Sequence, residues 1–198
     1  MDASTVFVSA GFLRNTKGYH IALEALAKYK CIDPEFKYII LGGLQPQFSS
    51  DRLYGGQLEQ MISRLQLDAN ILRVNEHLAS EELVGYILAS DIGLVTYTEE
   101  AQNASGILPL MLGLGRVVIA TPFAYARAIQ DRVAGLLLSD MNDPESLLQV
   151  IIRIAKEEEL RESLMVQNYE MTRDWVWSSC AAQYQVVFEE AVPGFENG

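Results

Sequence analysis

Short apolar runs recur along the chain, at Val6-Phe7-Val8, Tyr38-Ile39-Ile40-Leu41, Ile71-Leu72-Arg73-Val74, Ile92-Gly93-Leu94-Val95, Val117-Val118-Ile119-Ala120 and Leu136-Leu137-Leu138. Their length predicts strands, and their near-continuous apolar character, in place of strict alternation, predicts strands covered on both faces. Between them the spacing turns helical: Ala22, Leu23, Leu26 and Ala27 mark one face, and Leu58, Met61, Ile62 and Leu65 another. Ser80 followed by Glu82 and Leu83 reads as a capped helix start, and Asp143-Pro144 sets a cap and first-turn proline ahead of Leu147, Leu148 and Ile151. The helical pattern continues to about Glu190. Strand alternating with helix predicts an α/β fold, a doubly wound parallel sheet of about six strands with helices on both faces. Gln45 to Gly56, with Pro46, two serines and paired glycines, reads as a long polar connection beyond a strand end.

Size and charge narrow the reading. A chain of 198 residues buries roughly 70% of its unfolded surface, so one domain over residues 1–192 with a frayed tail at 193–198 is expected. Fifteen Lys and Arg against 26 Asp and Glu give a net charge of -11, the wrong sign for coating nucleic acid or anionic lipid. The apolar runs fall well short of the roughly 20 residues that span a bilayer, and the first residues lack a signal-peptide profile. No nucleic-acid partner and no integral membrane segment are expected, and the cytoplasm is the default location. Cys31 and Cys180 sit in no CxxC or Cys/His pattern, which predicts free thiols and no metal site.

In an open parallel sheet, ligands bind beyond the carboxyl ends of the strands. The first such segment, Ser9-Ala10-Gly11-Phe12-Leu13-Arg14-Asn15-Thr16-Lys17-Gly18, is a glycine-bearing turn with two cations leading into a helix. Free N–H groups at the helix start, the positive end of its dipole, Arg14 and Lys17 together suit a phosphate. The alternative is a solvated turn whose cations face water, for this is neither the Walker pattern nor GxGxxG. The second segment follows Val95 and runs from Thr96 to Gly106, after which Ile107 to Leu114 looks helical. Pro109 requires that helix to begin close to Ser105 or Gly106, which would offer backbone donors, while Glu100 would accept from sugar hydroxyls. An N-capping loop is the plainer alternative.

Taken in order, these pieces resemble a known family. From Thr5 to about Gln185 the chain is similar to the C-terminal, donor-binding domain of family 4 (group 1) glycosyltransferases, retaining enzymes built from two Rossmann-like domains in the GT-B architecture. The resemblance is carried by Gly11 to Gly18, by Tyr38-Ile39-Ile40-Leu41-Gly42-Gly43, and by Ala89-Ser90-Asp91-Ile92-Gly93-Leu94-Val95. It continues through Glu100-Ala101-Gln102-Asn103-Ala104-Ser105-Gly106, Gly115-Arg116-Val117-Val118-Ile119-Ala120-Thr121-Pro122 and Ala134-Gly135-Leu136-Leu137-Leu138.

The resemblance implies a nucleotide-diphospho-sugar donor, such as a UDP-, GDP- or ADP-sugar, with no further cofactor and no metal. It assigns Lys17 to the donor diphosphate, with Arg14 standing in for an arginine whose usual place is taken by Phe12. Glu100 joins these two as a catalytic candidate. Gly11, Gly18, Gly43, Glu76, Gln102, Asn103, Ser105 and Gly106 are the candidate donor-binding residues, with Glu76 beside His77 in the loop near the base. Where the family carries two glutamates seven residues apart, the second on the ribose, this chain has Gln102 and Leu110. A subgroup with a similar Glu-Ala-Gln and Ser-Gly loop also lacks that pair.

Other features read as structural: Glu157-Glu158-Glu159 with Arg161 and Glu162 as a solvated helical face, Trp175 with Trp177 as the dock of the last helix, and His20 as a helix-surface residue. The leading expectation is a donor-binding domain serving an acceptor held by an N-terminal domain or a separate chain. The alternative is a non-catalytic binding or scaffold domain on the same fold. A phosphoacceptor signalling domain fits poorly, because no acidic cluster follows the first strand.

Overall fold

A computed structural model of the chain describes residues 4–43, 48–75 and 78–191. Six strands form one parallel sheet: β1 (Val6–Ala10), β2 (Lys37–Leu41), β3 (Ile71–Val74), β4 (Ile92–Val95), β5 (Val117–Ala120) and β6 (Leu136–Leu138), in the spatial order β3-β2-β1-β4-β5-β6. The helices are α1 (Tyr19–Tyr29), α2 (Ser49–Arg64), α3 (Ser80–Leu88), α4 (Ile107–Gly113), α5 (Ala124–Ile129), α6 (Pro144–Lys156), α7 (Glu158–Met171) and α8 (Trp177–Ala191). This is the doubly wound, Rossmann-like architecture expected from the sequence.

Alternation along each strand explains why both faces need cover. Phe7, Tyr38, Ile40, Ile92, Leu94, Val117 and Ile119 join one core with the apolar sides of α1, α2 and α6. Val8, Ala10, Ile39, Leu41, Val95, Val118 and Ala120 join a second core with α3, α4 and α5. Strands with large apolar residues on both sides cannot face water on either, and a parallel sheet between two helical layers satisfies them. Val6 to Ala10 of β1 pair in register with Lys37 to Leu41, while Phe7 and Val8 lie opposite Ile92 and Gly93 of β4 on the other side. The strand order reverses at β1, which opens a crevice between the carboxyl ends of β1 and β4.

Several local expectations hold in detail. Asp143 Oδ1 accepts from the Glu145 and Ser146 amides at 2.8 and 3.1 Å, capping α6 with Pro144 in its first turn. Pro109 is the third residue of α4. Cys31 and Cys180 are both free.

Four expectations need correction. The polar connection becomes helix at Ser49, and Gly55 and Gly56 lie within α2, because Tyr54, Leu58 and Ile62 recur at helical spacing and bury one face. That burial outweighs a helix penalty of about 1 kcal/mol per glycine. Ser80 is the first residue of α3 and not its cap; the cap is Ala79, whose amide donates to Glu82 Oε2 at 3.0 Å. Trp177 does not anchor the last helix, being 89% exposed, whereas Trp175 packs on the second core and lies under Arg132. Arg161 also leaves the solvated face, since its guanidinium donates to the Ile154 and Ala155 carbonyls at the end of α6. The expected tail lies outside the described residues.

Candidate functional site

The turn after β1 is held by its neighbours on every side. Gly11 donates its amide to Leu41 O at 2.9 Å and accepts from the Tyr19 hydroxyl at 2.7 Å, while Leu13 N–H reaches Gly43 O at 3.3 Å. Asn15–Lys17 form one 3-10 turn that Gly18 ends with φ of 67°, a left-handed conformation in which glycine carries no steric penalty. A Cβ at position 18 would overlap the Thr96 carbonyl oxygen, so the turn lies directly on the segment after β4. The Thr96 hydroxyl donates to Gly18 O at 2.9 Å, and Thr98 N–H donates to Thr16 O at 3.0 Å. The two candidate loops are therefore one stitched surface.

The helix start differs from expectation. The His20 amide of α1 donates to the Tyr54 hydroxyl at 3.3 Å, and that hydroxyl also stands 2.9 Å from His20 Nδ1. Burial pushes the Tyr54 phenol up to about 12, partly offset by the His20 and Tyr19 amides that donate to it. Donors expected to be free for an anion are thus engaged by a side chain from α2, a partner 34 residues away that no local pattern reveals.

The two cations part company. Arg14 Nε pairs with Asp51 Oδ2 at 3.1 Å, and its guanidinium lies 4.7 Å from the centre of the Phe48 ring. Lys17 turns the other way: its stem passes over Gly11, and its ammonium sits 3.8 Å above the ring centre of Tyr97. The Tyr97 ring is 4% exposed, stacks on Phe123 at 4.7 Å, and its hydroxyl lies 3.1 Å from Ser105 Oγ. Ser105 Oγ in turn accepts from the Leu108 amide at 3.2 Å, closing the first turn of α4.

Beside this surface a cavity of about 350 Å³ opens over the carboxyl ends of β1 and β2, next to the strand-order reversal. Its walls come from the ends of β1 and β2, the start of α3 and the start of α4, and Gly11, Gly43 and Gly106 are among them. The remaining lining is mostly aliphatic or aromatic, with Phe12, Leu41, Leu78, Leu83, Ile107 and Leu110. Sequence reasoning noted Phe12 and Leu110 only as departures, yet they form part of this apolar wall.

The candidate residues thus fall into groups. Gly11, Gly43 and Gly106 line the cavity, and Lys17 and Ser105 adjoin it through Gly11 and Gly106. Gly18 is buried against Thr96. Glu100 pairs with Arg127 at 2.9 Å, and the Glu100 and Gln102 carbonyls accept from the Ala124 and Tyr125 amides, which ties this outer part of the loop to α5. Gln102 Nε2 donates to Ala104 O at 2.7 Å, and Asn103 is exposed. Glu76 and His77 lie outside the described residues. Among the described helices none is long and apolar enough to cross a membrane.

A family model described as glycosyl transferases group 1 matches residues 4–157. The chain belongs to that family. No curated protein sequence matches this group 1 glycosyl transferase chain. Among solved structures it is similar to a glycosyltransferase from Rickettsia africae ESF-5, with a TM-score of 0.82 at 17% identity over 98% of this chain and 49% of that one. Anabaena HepE in complex with UDP and glucose gives 0.79 at 17% identity, covering 95% of this chain and 48% of that one. The C-terminal domain of the group 1 protein LpcC from Francisella tularensis gives 0.71 at 20% identity over 86% and 84%. This group 1 glycosyl transferase chain therefore spans about half the length of the first two.

Proposed function

We propose that the chain is the donor-binding half of a glycosyltransferase and holds a nucleotide-diphospho-sugar in the cavity between the ends of β1, β2, α3 and α4. The observation that carries this reading is the placement of Lys17 along Gly11, which lines an apolar cavity next to the sheet's strand-order reversal, in a group 1 chain. The apolar walls suit a nucleoside, and the lysine suits the diphosphate beside it. HepE, similar in fold, has been crystallised with UDP and glucose. On this reading Lys17 stabilises the charge that develops on the leaving diphosphate, so transfer needs no metal, and it is retaining as in the resembled family. Arg14 and Glu100 act only after leaving their ion pairs with Asp51 and Arg127.

The acceptor is held by another domain or chain. Two of the similar structures are twice as long, and α8 exposes Trp177, Tyr184, Val187 and Phe188, an apolar surface suited to a second domain. A cytoplasmic location accords with the two free thiols. The scaffold reading is favoured by Leu110, which offers no acceptor to a ribose hydroxyl.

Isothermal titration with UDP-, GDP- and ADP-sugars tests the proposal. At least one should bind, and Lys17→Ala should weaken the corresponding diphosphate by about 10-fold or more while changing the free nucleoside little. Absence of binding by the folded wild type would overturn the donor reading in favour of the scaffold.

A further inference from the structure

Lys17 is held in place by an aromatic ring, and that ring is itself fixed by the second loop. We propose that Tyr97 is a positioning residue for donor binding: it fixes the Lys17 ammonium, whose stem runs beside the cavity-lining Gly11, and couples it to the start of α4. This rests on the donor reading above. Three contacts carry it. The ammonium lies 3.8 Å above the ring centre, the ring is stacked on Phe123 with its planes 29° apart, and the hydroxyl is 3.1 Å from Ser105 Oγ.

The chemistry explains why a ring serves here better than a carboxylate. A carboxylate would hold the lysine by neutralising it. A ring face attracts the ammonium through its quadrupole, leaves the full charge in place, and engages only one side of it. The N–H donors on the far side stay available to phosphate oxygens. A free lysine surrenders most of its rotamer freedom when it grips a ligand, and a lysine already resting on Tyr97 surrenders less. Burial of Tyr97 at 4% exposure, with Phe123 behind it, keeps the ring from following the lysine out to solvent. The phenol hydroxyl adds a second link, because Ser105 also accepts the Leu108 amide and so fixes where α4 and Gly106 begin.

The experiment has two independent readouts. In the wild type, NMR of the Lys17 ε-methylene should show signals upfield of those of a free lysine, from the ring current of Tyr97. Tyr97→Phe should keep that shift and Tyr97→Leu should abolish it. An unshifted Lys17 in the folded wild type overturns the proposal, and needs neither a variant nor a ligand. Titrations then compare UDP, GDP and ADP with their nucleosides. Tyr97→Leu should weaken the best-bound diphosphate by about 5- to 30-fold with little change for its nucleoside, and Tyr97→Phe by less than about 3-fold. In a Lys17→Ala background Tyr97→Leu should add almost nothing. Equal losses for diphosphate and nucleoside, or additive losses in the double variant, overturn the positioning role. If the wild type shows the ring-current shift but binds none of the three diphosphates, the donor reading fails, and the role in donor binding proposed for Tyr97 falls with it.

Discussion

Arg14 and Asp51 form an ion pair at 3.1 Å in which the Asp51 side chain is 4% exposed and that of Arg14 37%. One residue belongs to the turn after β1 and the other to the first turn of α2, so the pair fastens the turn to the helix that follows β2. Arg14→Ala would leave a buried carboxylate without its partner, and the expected loss is about 2 kcal/mol in urea denaturation. Asp51→Asn, which keeps an acceptor for Arg14, should cost less than half of that.

Gly18 meets two constraints at once, its φ of 67° and its contact with the Thr96 carbonyl. Gly18→Ala should destabilise the protein by about 2 kcal/mol or more, through strain and through displacement of the turn from Thr96. A thermal or urea midpoint measures this. Gly56→Ala, with nothing within 4 Å of the added carbon and a helical setting, should instead raise stability by about 0.5–1 kcal/mol.

Burial lowers the His20 imidazole from its ordinary 6.5, so the folded state favours its neutral form. The stability this neutral ring contributes is present above pH 6.5 and is lost as pH falls through the lower, folded value. The urea midpoint should therefore decline between pH 7 and 5, and His20→Gln should flatten that decline. At the other end, the Tyr54 phenol is raised from 10.0 to about 12, and its contribution is lost as pH rises from 10 toward 12.

Leu110 gives the cavity an aliphatic wall at the position where the resemblance would place a ribose-binding glutamate. On the donor reading, Leu110→Glu should create a preference for UDP over its 2′-deoxy analogue of about 10-fold, seen by titration, where the wild type has little.

Trp177, at 89% exposure, makes almost no burial within this chain. Trp177→Ser should therefore change the urea midpoint by no more than about 0.5 kcal/mol in stability.

The sheet was legible in the sequence because both faces of each central strand are buried, which forces nearly unbroken apolar runs such as Val117 to Ala120. The cap at Asp143 and the first-turn prolines were legible because their chemistry is local. What escaped was set by distant partners. The start of α2 depends on Tyr54 packing into a core formed elsewhere, and the sharing of the α1 amides depends on that same hydroxyl. Arg14 and Lys17 look equivalent along the chain, yet Asp51 draws one away while the other lies along Gly11 and over Tyr97. A lone tyrosine after a buried strand carries no pattern that distinguishes a packing residue from one that supports a cation.

None of the 15 residues of α8 is buried. Only its first turn, at Ser179 and Cys180, is partly covered, and a helix of that length with so little burial draws mainly on backbone hydrogen bonding, which in water is close to break-even. It is therefore expected to open at a lower free energy than the sheet. For a surface that displays Trp177, Tyr184, Val187 and Phe188, helical order is thermodynamically linked to whatever covers those side chains, so their burial and the helix's stability rise together.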